Sequence, residues 1–143
     1  MGADNQQRRL DVRLGWLGGI IDGEGMITVM KRVNGCSFYP RISIANTNKN
    51  LINEASFIFN ELGLAYYIQS KTYFVGEKQR IKYELLVNGI RRCIPVLQLV
   101  IPYLVAKKEN AEKLLSWCLR RNNLGASKYD EEDMKILSIR QRI

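Results

Sequence analysis

A chain of 143 residues with 46% hydrophobic and 25% charged residues has the length and composition of one soluble globular domain, which excludes a disordered protein. It contains no histidine, so Ser-His, Cys-His and histidine–metal chemistry are excluded, and any catalysis must use carboxylates, lysine, water and metal. The 22 lysines and arginines against 14 acids give a net charge of +8, which favours a polyphosphate or an anionic membrane surface as partner.

The cysteines and the first residues bear on the compartment. Three cysteines without CxxC spacing argue against zinc and a disulfide framework and favour a reducing, intracellular compartment, such as the cytoplasm, the nucleoid or an organelle matrix. The polar start of the chain has no signal-peptide core, and no apolar run is long enough to cross a bilayer. We therefore expect no targeting segment, no membrane partner and one domain over 1–143, of which 1–9 form a loose tail.

The first predicted element is a helix with Asp11 as a candidate N-cap, ended by the glycines around Asp22 and Glu24. Residues at helical spacing give it one apolar face, namely Leu14, Leu17 and Ile21. Two β-hairpins separated by a helix follow. Their strands alternate apolar and polar residues and cover 26–32, 38–45, 65–75 and 79–87.

The helix between the two hairpins is predicted over 48–62, with Asn48 as its N-cap. The rest of the chain is predicted to be helical, with Pro95 bending or starting the first of three helices, a second over 104–120 and a third over 130–142. The predicted order α-β-β-α-β-β-α-α-α corresponds to an α+β fold in one domain, without internal repeats.

The glycines of the first helix are its unusual feature. Each helical glycine costs about 1 kcal/mol relative to alanine, unless another backbone passes unusually close. Gly15, Gly18 or Gly19, and Asp22 share a face that differs from the apolar face, so we expect these four residues to meet a partner helix. Beyond them, Asp22 and Glu24 lie at the helix end that disfavours carboxylates. Bound cations would relieve this conflict, whereas an isolated DGEG is more often a glycine cap with two solvated acids.

The nine residues LGGIIDGEG, at 17–25, resemble the LAGLIDADG signature of homing endonucleases. Gly18 and Gly23 replace alanines of the signature, and Glu24 replaces its second aspartate. The resemblance implies an αββαββα fold with additional C-terminal helices, whose antiparallel sheet forms a DNA-binding saddle. A single motif implies a homodimer that builds one active centre from two copies.

The implied function is that of a homing endonuclease, a sequence-specific nuclease that hydrolyses double-stranded DNA with divalent metal, of the intron-encoded type. The alternative is a cleavage-deficient relative that acts as an intron RNA maturase or a DNA-binding regulator, so intron RNA stays open as a further partner. Glu24 matches the motif's acidic metal ligand and catalytic residue, and the backbone carbonyl of Gly23 is implied as a second ligand. Oxygen ligands favour Mg²⁺ or another hard cation such as Mn²⁺, while Ca²⁺ is expected to bind without supporting full turnover.

Two further catalytic residues are implied by position. Lys107 lies in a segment after Pro102 that resembles the family's lysine segment, and it is expected to stabilise charge near the scissile phosphate, with Lys108 as its neighbour. Asn46, at the end of the second strand, is expected to orient active-site water. Asn48 is the alternative, although capping is its default role.

Residues that alternate with the apolar strand positions are expected to face the DNA. They are Thr28, Met30, Arg32, Arg41, Ser43, Tyr67, Gln69, Lys71, Tyr73, Arg80, Lys82 and Glu84. A second basic set is expected to contact phosphates or solvent without conferring sequence preference. It comprises Arg91, Arg92, Arg120, Arg121 and Lys128.

Overall fold

One four-stranded antiparallel sheet with helices packed on one face makes up the fold, so the expected α+β class is confirmed. The computed structural model describes residues 2–33, 37–125 and 128–142. The helices are α1 (Gly2–Glu24), α2 (Lys49–Glu61), α3 (Ile90–Val100), α4 (Lys108–Leu124) and α5 (Glu131–Lys135). The strands are β1 (Gly25–Lys31), β2 (Phe38–Asn46), β3 (Tyr67–Val75) and β4 (Lys78–Asn88). Two 3-10 segments, Ile101–Tyr103 and Ile136–Arg142, complete the described chain.

The strand order is β1-β2-β4-β3, so the second strand of each hairpin lies in the middle of the sheet. Directly opposed residues of an antiparallel pair share a face. The apolar pairs Ile27↔Ile42 and Ile44↔Leu85 therefore define the helix-covered face, and Ile42, Ile44 and Leu85 are fully buried there. The opposite face carries the intervening, mostly polar residues. Within the described residues, no helix is long and apolar enough to span a bilayer.

Helix α1 begins at Gly2, so the predictions of a loose tail over 1–9 and of an N-cap at Asp11 are wrong for the described residues. Residues 2–9 contain no proline, and extending an existing helix avoids the cost of nucleation. Asp11 lies inside the helix, where its carboxylate accepts a hydrogen bond from Gln7 Nε2 at 3.1 Å and another from the Tyr103 hydroxyl at 2.8 Å. That second bond raises the pKa of Tyr103, because ionising the phenol would place its charge against the carboxylate.

Gly25 lets α1 pass into β1 without a loop. A Cβ at this position would lie 2.8 Å from the Ile21 Cα and 2.9 Å from the Ser43 carbonyl oxygen. Such distances leave no room for a side chain, so glycine is required here for close approach. The junction fixes the end of α1 against the edge of the sheet.

The boundaries of the later helices shift from those expected. Asn48 caps α2 as predicted, by accepting a hydrogen bond from the Asn50 amide at 3.0 Å. Pro95 lies inside α3 and does not start it. Helix α4 begins at Lys108, and the predicted start at residue 104 is wrong, because the preceding residues form a turn held by the end of α1. The last predicted helix is only five residues long before it tightens into 3-10 geometry.

A buried carboxylate attaches the C-terminal segment to α4. Asp133 is fully buried and accepts hydrogen bonds from Arg120 Nη1 at 2.8 Å, Arg121 Nη1 at 3.2 Å and Trp117 Nε1 at 3.2 Å. Arg120 also pairs with Asp130, which lowers the pKa of that carboxyl group. Arg121 is buried in this network, so the expectation that it contacts phosphates or solvent is wrong, whereas the Arg120 side chain stays 36% exposed to solvent.

Candidate active site and nucleic-acid interface

Glu24, the last residue of α1, has an exposed side chain, and Gly23 before it is exposed as well. Among the described residues, the Glu24 carboxylate has no hydrogen-bond or ion-pair partner. The next residue, Gly25, pairs with Ile44 of β2, so this carboxylate lies at the junction between α1 and the sheet. An unpaired carboxylate at a helix C-terminus is electrostatically unfavourable, and it is available to a cation.

Asp22 has a different environment. Its two carboxylate oxygens accept hydrogen bonds from the backbone amides of Val105, at 2.7 Å, and Lys107, at 3.0 Å. The predicted place of Asp22 in the interface with a partner helix stays a prediction. Asp22 holds the turn before α4 against the end of α1, within the same chain.

Lys107 is brought to the same end of α1. Its ammonium group donates a hydrogen bond to the backbone carbonyl of Asp22, two residues before Glu24. A lysine cation at this position also offsets the partial negative charge of the helix C-terminus. Lys108 is exposed and opens α4. The structure thus places Glu24 and Lys107 at the same end of α1, and their catalytic roles stay predictions.

We expect Asp22→Ala to lower the free energy of unfolding by about 2–4 kcal/mol, because two backbone amides lose a charged acceptor. Thermal or urea unfolding measures this change. Asp22→Asn keeps one of the two oxygen acceptors and should lose less. Equal stability of Asp22→Ala and the unsubstituted protein would contradict the structural role given to this carboxylate.

The glycine-rich face of α1 packs partly within its own chain. A Cβ on Gly18 would lie 2.7 Å from the Tyr103 Cβ and 3.0 Å from the Tyr103 carbonyl oxygen, and a Cβ on Gly15 would lie 3.8 Å from Tyr103 Cδ1. Gly18 is buried and the 3-10 segment lies against it, so its predicted contact with a partner helix is wrong, whereas the predicted contact of half-buried Gly15 stays a prediction. Gly19 differs, because a Cβ there would meet nothing within 4 Å.

Gly18→Ala should destabilise the protein by about 1–3 kcal/mol, because the new methyl group would overlap both the side chain and the backbone of Tyr103. Gly15→Ala is the matched control on the same helix and against the same residue. It should be neutral or stabilise by up to about 1 kcal/mol, since its methyl group fits and alanine favours the helix. Thermal unfolding measures the stability of both variants. A Gly15→Ala protein less stable than Gly18→Ala would contradict this packing.

Asn46 and Asn48 form consecutive turns between β2 and α2. The Asn46 side-chain oxygen accepts a hydrogen bond from the Asn48 amide at 2.7 Å, while Asn48 caps α2. Strand alternation places Asn46 on the side of Ile42 and Ile44, opposite Ser43. The role of Asn46 in orienting water stays a prediction. One lone pair of its side-chain oxygen already accepts the hydrogen bond from the Asn48 amide. No group of three or more His, Cys, Asp or Glu side chains that could hold a metal occurs in the parts of the chain described.

The predicted polar face is one continuous surface of the sheet, which we call the saddle face. Cross-strand pairing unites its members across all four strands, through Thr28↔Arg41, Arg41↔Asn88, Gln69↔Glu84, Lys71↔Lys82 and Tyr73↔Arg80. Arg32 follows the end of β1 on the same side by alternation.

Thr28 and Ser43, two small members of the saddle face that were expected to be open to a ligand, are buried. Thr28 is only 1% exposed and Ser43 only 6%, so both lie beneath the larger side chains of the surface. The Thr28 hydroxyl oxygen has no hydrogen-bond partner among the described residues. The prediction that these two residues contact DNA directly is therefore wrong. They form the floor of the saddle face.

Glu84 organises one part of the saddle face. Its side chain is largely buried, with carboxylate oxygens 3.6 Å from Lys71 Nζ, 3.6 Å from Lys82 Nζ and 3.3 Å from Gln69 Nε2. The lysines are about half exposed at the side chain. Glu84 therefore holds three predicted DNA-contacting side chains in place. Its own oxygens are engaged with these neighbours and are less available to a ligand.

Two residues of the saddle face were missed by the sequence reading, Tyr39 and Asn88. Arg41 Nε donates to Asn88 Oδ1 at 2.8 Å, and Asn88 Nδ2 donates to the Tyr67 hydroxyl at 2.7 Å. The guanidinium carbons of Arg32 and Arg41 lie 5.2 and 5.7 Å from the centre of the Tyr39 ring. Alternation from Arg41 and from Glu84 leads to these two positions, so the signal was present in the strand pattern.

Similarity to known proteins identifies the family of the chain. The family model described as "LAGLIDADG-like domain" matches residues 11–96. An uncharacterized protein of Methanocaldococcus jannaschii is 40% identical over 53 residues, which are 37% of this chain and 19% of that protein. The chain therefore spans about a fifth of the length of this curated relative.

Solved structures share the fold. The homing endonuclease I-CvuI in complex with its target superposes with a TM-score of 0.63 at 15% identity, over 81% of this chain and 71% of that one. The archaeal intron-encoded homing endonuclease I-Vdi141I, solved with DNA, gives 0.55 at 17% identity, over 92% and 96%. I-GzeII, also solved with a DNA target, gives 0.59 at 19% identity over 91% of this chain and 44% of its own.

Proposed function

Because the chain belongs to the LAGLIDADG-like domain family, we propose that it is a sequence-specific endonuclease that hydrolyses both strands of duplex DNA as a homodimer. The observation that carries this proposal is Glu24, an exposed carboxylate without an internal partner at the motif end of α1. Lys107 lies at the same end, and a saddle face rich in Lys, Arg, Gln and Tyr extends along the sheet. Structural relatives solved with DNA support the same proposal.

The dimer interface in this proposal is the open stripe of α1, which we define as Val12, Trp16, Gly19 and Gly23. These four residues recur at helical spacing, Val12 is 72% exposed, and neither glycine has a neighbour where its Cβ would be. A twofold axis along this stripe makes the same surface self-complementary. It would bring the two copies of Glu24 to one centre, because Gly23 directly precedes Glu24.

The donor atoms at this centre fit a hard divalent cation. The Glu24 carboxylate and the backbone carbonyl of Gly23 would hold Mg²⁺ or Mn²⁺, since both donors are oxygens and the chain has no histidine. One copy supplies too few ligands, so two copies and the phosphate oxygens of the DNA would complete the set. A bound cation polarises the scissile phosphate and lowers the pKa of a nearby water molecule.

Lys107 has the complementary role. Its ammonium group is held by the Asp22 carbonyl, which positions a fixed positive charge beside Glu24. We propose that this charge stabilises the additional negative charge that develops on the phosphate during hydrolysis. Asp22 has a positioning role. Its carboxylate accepts hydrogen bonds from the amides of Val105 and Lys107 and so holds the turn that carries Lys107.

The saddle face is the proposed DNA-binding surface. The net charge of +8 favours association with phosphates, and the polar side chains offer donors and acceptors to base edges. Intron RNA as a further partner and an origin within an intron stay predictions.

Cleavage of supercoiled DNA that carries the candidate insertion site tests the proposal. We expect linear product with Mg²⁺ or Mn²⁺, none with EDTA, and bound but uncut DNA with Ca²⁺. Specific binding without cutting in Mg²⁺ or Mn²⁺ would instead favour the cleavage-deficient alternative, a DNA-binding regulator or an intron RNA maturase. The absence of any specific binding would overturn the proposed function.

A further inference from the structure

We infer that Arg41 reads a guanine in each half of the target site and that Asn88 is the residue that positions it. This inference rests on the proposed DNA-binding function and adds a base preference to one side chain of the saddle face. The juxtaposition that carries it is the hydrogen-bonded chain Arg41–Asn88–Tyr67, which crosses from β2 through β4 to β3.

The Arg41 side chain is held at its inner edge. Nε donates to Asn88 Oδ1 at 2.8 Å, and Nη2 donates to the Tyr39 hydroxyl at 3.4 Å. Arginine has five N–H donors, so both hydrogens of Nη1 and one of Nη2 are left at the outer end of the guanidinium. In the described part of the chain, no carboxylate pairs with Arg41. Its charge therefore remains available to a ligand.

Asn88 is itself fixed. Its Nδ2 donates to the Tyr67 hydroxyl at 2.7 Å, which leaves Oδ1 directed at Arg41. If the amide exchanged its oxygen and nitrogen, Nδ2 would face Arg41 Nε, two donors would meet, and this hydrogen bond would be lost, so Arg41 fixes the orientation of the amide. This arrangement pre-orders a long side chain whose rotamer freedom would otherwise be lost only on binding.

The donors that remain select one base. Two parallel N–H groups at the end of a guanidinium match O6 and N7 of guanine in the major groove, and no other base presents two acceptors there. Asn88, by contrast, has its amide oxygen and one amide hydrogen engaged within the protein, so it is poorly placed to read adenine. The geometry therefore distinguishes the reading residue from the positioning residue.

Arg41 lies away from the catalytic end. Ile44 pairs with Gly25, the residue after Glu24, and Arg41 is three residues farther along β2, about 10 Å at 3.3 Å per residue. Replacement of Arg41 should therefore act on sequence preference, at a position separate from Glu24. In a homodimer the same preference appears twice, once in each half of the site.

Selection of bound sequences from a randomised double-stranded DNA library tests the inference. The protein should select sites with one guanine at a fixed position in each half, and Arg41→Met, which removes every side-chain donor, should lose the preference at those two positions only, by about 10- to 100-fold. Loss of the charge should lower the affinity for all sequences equally, so the preferences at the other positions should persist. Asn88→Ala should weaken the same guanine preference by about tenfold while leaving the others intact.

Arg91→Ala is the matched control, since Arg91 is an exposed arginine on the first turn of α3. It should retain every base preference, with at most a uniform loss of affinity. Thermal unfolding confirms that each variant is folded. An unchanged guanine preference in Arg41→Met, or selection of another base by the unsubstituted protein at the affected position, would overturn the reading role of Arg41. An unchanged preference in Asn88→Ala would overturn its positioning role. Failure of the unsubstituted protein to select any sequence would overturn the proposed DNA function and the inference together.

Discussion

Replacement of Glu24 by glutamine is expected to reduce DNA cleavage by about 10²- to 10³-fold or more, because the cation that this carboxylate would hold supplies charge stabilisation of that order. Glu24 is exposed and lacks an internal partner, so the substitution removes a charge without breaking a contact of the fold. Specific binding should persist or become slightly tighter, because each dimer loses two negative charges that face the phosphates. Cleavage of a labelled target in Mg²⁺, followed beside a gel-shift titration, separates these two effects.

Two controls make the result specific to this carboxylate. Glu24→Asp keeps a carboxylate and restores the residue usual in the signature, so it should retain measurable cleavage. Glu54→Gln makes the same chemical change at an exposed position on α2 and should cut like the unsubstituted protein. Full cutting by Glu24→Gln would remove this residue from the mechanism.

Replacement of Gly19 by leucine is expected to convert the dimer into monomers. A Cβ at this position meets nothing within 4 Å among the described residues, so a single copy has room there for the larger side chain. Across a twofold axis, however, two leucines would separate the paired helices. Overpacking costs about 1–3 kcal/mol at one site, and the substitution occurs twice, so the dissociation constant should rise by roughly 10²-fold or more. Light scattering or sedimentation at several protein concentrations measures the change.

The stability of the monomer provides the control for this variant. Gly19→Leu should unfold at the temperature of the unsubstituted monomer or above it, because leucine favours a helix over glycine. Cleavage should be lost with the dimer, since each copy supplies a single Glu24. A Gly19→Leu protein that remains a dimer of normal mass would place the interface elsewhere and refute the open stripe.

The sequence alone determined those features that depend on local periodicity and on local backbone chemistry. Leu14, Leu17 and Ile21 recur at helical spacing and are buried, and strand alternation assigned Gln69, Lys71 and Tyr73 to one face. The position of Glu24 at the end of a glycine-bounded helix followed from the same pattern. Each of these features depends on residues a few positions apart, whose relative directions the backbone geometry fixes.

Only the tertiary structure decided which distant residues contact each face of a helix or strand. Asp22 binds amides 83 and 85 residues away, and Gly18 accommodates Tyr103, so the face assigned to a second copy belongs partly to the chain itself. Arg121 is buried against Asp133, and Asn88 joins Arg41 across two strands. Such contacts depend on where distant segments return after the core has packed, and periodicity along one element carries no information about that return.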